Sequence, residues 1–172
     1  MKPQKLMWPI AGLAIATFCL FLFSFTTSSH DQFEPILMLR EDMEAAVQLR
    51  TSRDIERPGK IWVFDQYIFV IEQYKGIHVL DNADPRNPKN IGFIQIDGCT
   101  DVAVRNDIIY ANNAVDLIGV KTLADYKAIS VVSRNRNILP ELESPEDWYS
   151  NDFQKHRPAN TVIVRWEPYN AD

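Results

Sequence analysis

The sequence predicts a mainly β fold, with two four-stranded antiparallel units in tandem, a short helix before them and a single strand after them. Three observations predict it. Between Lys60 and Val132 the apolar residues fall in short runs rich in aromatic and β-branched side chains, which suit a pleated, half-buried surface. Turn-forming residues such as Asp65-Gln66 and Tyr74-Lys75-Gly76 separate the runs. The order of the runs then restarts about 41 residues downstream, a spacing of the kind propeller repeats use.

Residues 1–29 read as a leader. Lys2 and Lys5 precede an apolar run from Leu6 to Phe25, and Thr26-Thr27-Ser28-Ser29 follows. Basic, apolar, small is the order of a secretory signal. The apolar run, of about 20 residues, is also long enough to span a bilayer. Two readings stay open: cleavage near Thr26 to Ser29, or an uncleaved signal-anchor with its basic end in the cytoplasm. Cys19 follows bulky Phe18 inside the apolar run, which argues against a lipid-attachment signal. Either way the domain is expected outside the cytoplasm, in the periplasm or at the cell surface, with the N-terminal segment engaging membrane.

Residues 30–59 read as a linker with a short helix. Ile36-Leu37-Met38-Leu39 suits a strand or a helix entrance equally. Over Glu41 to Leu49, the positions Leu39, Met43, Ala46 and Val47 share one helical face. Glu41, Asp42 and Glu44 place negative charge where the helix dipole favours it. Arg50 to Gly59 is charged and ends on the turn signal Pro58-Gly59.

Residues 60–135 hold the two β units. The first has Lys60 to Phe64, Tyr67 to Glu72, Ile77 to Asp81 and Ile91 to Ile96, with the two-proline loop Asn82 to Asn90 before its last strand. In the second, Asp101 to Val104 matches Lys60 to Val63, and Ile108 to Ala111 matches Tyr67 to Val70. Leu117-Ile118-Gly119-Val120 matches Gly76-Ile77-His78-Val79, and Ala128 to Val132 matches the fourth strand. Residues 136–160 read as an acidic surface loop. Leu139 to Phe153 carries five carboxylates and no basic residue, and Trp148 and Tyr149 are expected to pin it to the body. Residues 161–172 form a last strand, Asn160 to Trp166, and a polar tail.

The formal net charge of -5 disfavours nucleic acid as a partner, because an acidic surface repels phosphate backbones. Cys19 and Cys99 are the two cysteines, and only Cys99 lies beyond the leader, so no intrachain disulfide is expected in the folded part. Cys99 has no basic neighbour in the sequence to stabilise a thiolate and reads as a buried filler.

The phrases GIHVLDNADPRNPKNIGFI and DLIGVKTL resemble the LVIVD repeat, in which an apolar strand runs into Asp and then a turn with Asp-Pro and Asn-Pro. Ile77, Val79, Leu80, Asp81, Asp84-Pro85 and Asn87-Pro88 fit it. The second copy departs, with Lys121-Thr122-Leu123-Ala124-Asp125 where the Asp and the Asp-Pro turn should be. The resemblance covers about Pro58 to Val132. It implies a β-propeller fold, export to a bacterial or archaeal surface, and no assigned chemistry. The whole chain also resembles the amino-terminal part of longer Bacteroidetes-type envelope proteins.

No catalytic, cofactor-binding or metal residue is assigned. Asp81, Asn82 and Asp84 offer oxygen ligands, but Asn and Asp in turns ordinarily bond their own backbone, and the spacing is not that of a calcium loop. His78 faces opposite to Ile77 and Val79, which places it on the solvent face or hydrogen-bonded at a blade surface. His30 and His156 share no constellation with it for zinc or for nucleophilic catalysis. Two blades cannot close a ring, since common propellers use at least about four. The open faces then call for self-association, an envelope partner, or a cap made by the helix and the 161–166 strand. The reading is a non-enzymatic envelope module for protein interaction or structure. The alternative is a subunit of an envelope enzyme or ligand-binding assembly completed by oligomerisation.

Overall fold

A computed structural model describes residues 33–123, 126–145 and 151–168. The leader with Cys19, His30, Ala124, Asp125, Trp148, Tyr149 and the tail after Pro168 lie outside the described residues. Among the described residues no helix is long and apolar enough to cross a membrane.

The described chain is mainly β, in three antiparallel sheets, with no closed barrel among them. In order it runs β1 (Phe33–Leu39), α1 (Arg40–Ala45), β2 (Gln48–Arg50), β3 (Pro58–Phe64), β4 (Tyr67–Glu72), β5 (Gly76–Asp81) and β6 (Lys89–Gln95). It continues with β7 (Val102–Arg105), β8 (Ile108–Asn113), β9 (Asp116–Leu123), β10 (Ala128–Asn135), α2 (Asn151–His156) and β11 (Thr161–Pro168). The first sheet has the order β2-β6-β5-β4-β3, the second β10-β9-β8-β7, and the third is the pair β1-β11.

Each of the eight runs expected between Lys60 and Val132 is a strand, and within each set the strands pair with their sequence neighbours. The hairpin turns explain the local order. Asp65 has φ 53°, and Asn106 and Asp107 have φ 51° and 60°, the left-handed conformation that short polar residues tolerate. Gly76 sits at φ 145°, and a Cβ there would stand 2.1 Å from the Ile94 carbonyl oxygen. No L-residue side chain fits that approach of two strands.

The register corrects the alignment of the two units. Glu72 pairs with Gly76 across a three-residue turn, whereas Asn113 pairs with Asp116 across two. One residue is missing, so His78 corresponds to Ile118 and Val79 to Gly119. A one-residue slip exchanges the faces of a strand, so the expected match of Ile77 with Ile118 paired residues on opposite faces.

The core lies between the first two sheets. Phe69, Ile71, Ile77, Val79 and Ile94 from the first sheet pack against Val102, Val104, Ile109, Ala111, Ile118 and Val120 from the second. Counted from the hairpin turns, the counterpart of Phe69 is Tyr110: Phe69 pairs with Trp62 and Tyr110 with Ala103. Tyr110 alternates with the core residues Ile109 and Ala111 and so stands on the second sheet's outer face. The sheets therefore stack with like faces pointing the same way.

Three expectations change. The helix ends at Ala45, not Leu49, because Gln48 to Arg50 are drawn into an edge strand that sets Leu49 opposite Ile94. The acidic segment 136–160 is not all loop, since α2 occupies Asn151–His156. The segment read as a linker is packed. β1 pairs with β11 from Phe33↔Pro168 to Leu39↔Thr161. Together with Met43 of α1, that ribbon buries Val162 and Val164 against Ala114 and Val115.

Candidate functional site

Two buried polar clusters and one open groove are the candidates. The first cluster lies under residues 51–57, which cross the first sheet's outer face as a strap. Glu72 ends β4 on that face, and its carboxylate is fully buried. It accepts the backbone N–H of Arg57 at 2.7 Å and of Glu56 at 3.0 Å. His78, also fully buried, donates from Nε2 to Glu72 Oε2 at 3.1 Å. The Asn90 amide nitrogen donates to the Arg53 carbonyl at 2.8 Å and stands 3.4 Å from His78 Nδ1. The Arg53 carbonyl fixes the amide's orientation, so Nδ1 accepts and Nε2 carries the proton. The Arg53 guanidinium lies 3.7 Å over the Phe93 ring. Burial pushes the Glu72 carboxyl upward, but the two backbone N–H groups and His78 outweigh it and hold it below the ordinary value.

Of the two placements expected for His78, it takes the hydrogen-bonded one and not the solvent face, because the strap covers it. A carboxylate–imidazole pair can exchange a proton, but this one is sealed and holds the strap to the sheet.

The second cluster centres on Asp116 at the start of β9. Its buried carboxylate accepts Arg40 Nη1 on both oxygens at 3.0 Å, Arg134 Nη1 at 2.8 Å and the backbone N–H of Asn137 at 3.0 Å. Arg136 grips Glu44 through two bonds of 2.8 Å. Burial raises the Asp116 carboxyl, while Asn137, Arg134 and Arg40 together lower it further, leaving it below the ordinary value. A cavity of about 430 Å³ adjoins the cluster, lined by Arg40, Glu41, Glu44 and Arg136 among others. Its arginines are already engaged with carboxylates, so it offers a neutralised wall. The cluster ties α1 to the second sheet.

The groove, of about 670 Å³, runs where β3 lies beside β7, the last strands at one edge of each sheet. Trp62, Ala103, Tyr110, Leu117 and Leu139 line it, and Lys60 pairs with Asp101 at its rim. Trp62 is 41% exposed, and Ile61 and Val63 beside it are 63% and 61% exposed. Both outer edges, β3 and β7, leave a row of backbone groups without a ladder partner among the described strands.

The remaining sequence candidates stay apart. Asp81 caps the N–H of Ala83 at 2.9 Å and Asp84 that of Arg86 at 3.1 Å, ordinary turn chemistry. His156 lies at the end of α2, far in sequence from His78. Among the described residues no three His, Cys, Asp or Glu side chains gather as a metal site. Cys99 is buried, and burial pushes its thiol up to about 12. Sequence reasoning missed Asn112 and Asn113, which hold the connection between the sheets. Asn112 donates to the Gly98 carbonyl and accepts the N–H of Thr100 and Asp101, while Asn113 donates to the Asp97 carbonyl. A pair of amides closing an apolar strand was the available signal.

Compared with known protein families, with curated proteins and with solved structures, the chain shows no match.

Proposed function

We propose that the chain is a non-enzymatic cell-envelope protein whose two stacked sheets act as blades of a β-propeller-like, LVIVD-type module for protein interaction or structural assembly. One observation carries the reading. The sheets stack with like faces in the same direction, and although the strap covers Glu72, His78 and Phe93, Ile61 and Val63 on the edge strand β3 stay 63% and 61% exposed. The leader supports an envelope location. The carboxylates of Glu72 and Asp116 and the amide of Asn112 support a structural role, because they hold a strap, a helix and a connection. The runner-up, a subunit whose ligand or substrate site is completed on assembly, is favoured by the groove at the edge that both sheets share.

Fractionation followed by light scattering of the detergent-extracted full chain tests the reading. The protein is expected in the envelope fraction, in a defined assembly heavier than one chain. Recovery in the cytoplasm, or as a free monomer at micromolar concentration, overturns it.

A further inference from the structure

We propose that residues 51–57 form a proton-operated latch: a second proton on His78 frees the Arg53 end of the strap and leaves the Glu56–Arg57 end in place. The latch works alike in a free chain and in an assembly. Its basis is the uneven way the strap is held. Every residue from 51 to 57 is exposed, and Ile55, its one large apolar side chain, is 40% exposed. Polar bonds therefore hold it more than apolar burial does, and segments held that way open locally at low cost. One end hangs on Glu72, which accepts the N–H groups of Glu56 and Arg57, and on the Arg57 carbonyl, which accepts the N–H of Gln73 at 3.0 Å. The other end hangs on the Asn90 amide, which donates to the Arg53 carbonyl, and on the Arg53 guanidinium stacked over Phe93.

His78 touches both ends. Its Nε2 already carries a proton toward Glu72, so a second proton can go only to Nδ1. There it meets the Asn90 NH2 at 3.4 Å, donor against donor. The Asn90 Oδ1 is buried and has no hydrogen-bond partner among the described residues. Turning the amide brings that oxygen to Nδ1–H and takes the nitrogen away from the Arg53 carbonyl. The imidazolium gains an acceptor, and the strap loses its Arg53 anchor. At the other end the new charge faces the Glu72 carboxylate, so that end tightens. The charged groups around His78 favour the same outcome or stay neutral to it. Glu72 of β4 is held below its ordinary value and stays an anion while a histidine titrates. Glu56 is paired with Lys75 at 2.9 Å and Arg50 of β2 is bonded to Gln95 at 3.1 Å, while Asp54 and Arg57 are exposed. Arg53 lies over Phe93, whose ring centroid is 4.9 Å from that of His78, so an imidazolium repels it and adds to the release.

Nitrogen and carbonyl NMR of the full chain in mild detergent, between about pH 8 and about pH 5, tests this. The Arg53 carbonyl is assignable because Arg53-Asp54 is the one Arg-Asp peptide in the sequence. At the alkaline end His78 should show the Nε2–H tautomer. On acidification the Arg53 carbonyl and the Asn90 side-chain amide should move with the imidazole at one shared midpoint. The Glu56 and Arg57 amides should meanwhile keep their protection against exchange to within about twofold. His78→Gln keeps a donor for Glu72 without a titrating ring and should abolish the Arg53 shift. Asn90→Ala should leave His78 titrating and uncouple it from Arg53, which keeps the test open if His78→Gln fails to fold. An Nδ1–H tautomer, a titrating His78 with an unmoved Arg53 carbonyl, or a His78 that stays neutral until the chain unfolds overturns the latch. So does the same Arg53 shift in His78→Gln. None of these results bears on the propeller-like reading.

Discussion

Replacing Glu72 with Gln separates the charge of this buried side chain from its shape. The carboxylate accepts three donors: the N–H groups of Arg57 and Glu56, at 2.7 and 3.0 Å, and His78 Nε2 at 3.1 Å. An amide has one acceptor oxygen. Its best orientation keeps that oxygen where Oε2 serves Glu56 and His78, and turns its NH2 toward the N–H of Arg57. One charge-assisted bond is lost, of a kind that contributes about 1.5–3 kcal/mol. Arg57 is exposed and regains some hydration, so a destabilisation of about 2 kcal/mol is expected. The loss should fall on the strap first. Hydrogen exchange at the Glu56 and Arg57 amides is then faster by roughly 30-fold. The pH dependence gives a second check. Glu72 has a folded value below its ordinary 4.5, so its contribution is present above that value and is lost as pH falls through the depressed one. The wild type should therefore lose stability on acidification more steeply than Glu72→Gln. Unchanged strap exchange, together with a urea midpoint equivalent to within about 0.5 kcal/mol, would show that the carboxylate does not hold the strap.

Three further outcomes are expected. Gly76→Ala should lower the urea midpoint by the equivalent of about 3 kcal/mol or give insoluble protein, because its Cβ meets the Ile94 carbonyl at 2.1 Å and its φ is 145°. Asp116→Asn should cost about 2–4 kcal/mol by chemical denaturation, since Arg40 and Arg134 lose the anion between them while partial exposure rehydrates them. Cys99 should resist iodoacetamide at pH 8 in the native state and label only at the rate of unfolding, as its thiol is pushed up to about 12.

The strands were legible because turn residues punctuate them and because apolar runs of strand length leave little choice. Their faces were harder. In YIFVIE both sides of β4 are buried, so alternation cannot say which residue meets which sheet. The slip between the units followed from that: only the pairing of Asn113 with Asp116 shows the shorter turn. Sequence alone leaves His78 on the solvent face or hydrogen-bonded at the sheet surface, because the strap that covers it is charged and reads as a linker. Arg53 packs its guanidinium on Phe93 and Glu56 gives a backbone N–H, and neither act leaves a mark in hydropathy. Asp116 was invisible for a related reason, since its partners Arg40 and Arg134 come from distant parts of the chain. The turn role of Asp81 and Asp84, by contrast, is local and was open to reading.

The ribbon of β1 and β11 joins Phe33 to Pro168, so the earliest described strand waits for the latest. On the ribosome, β1 has no strand to pair with until Thr161–Pro168 has been made, whereas each meander can zip up as it emerges. Any premature stop before Thr161 would therefore release two formed sheets with a sticky, unmatched first strand, a natural substrate for chaperones and proteases.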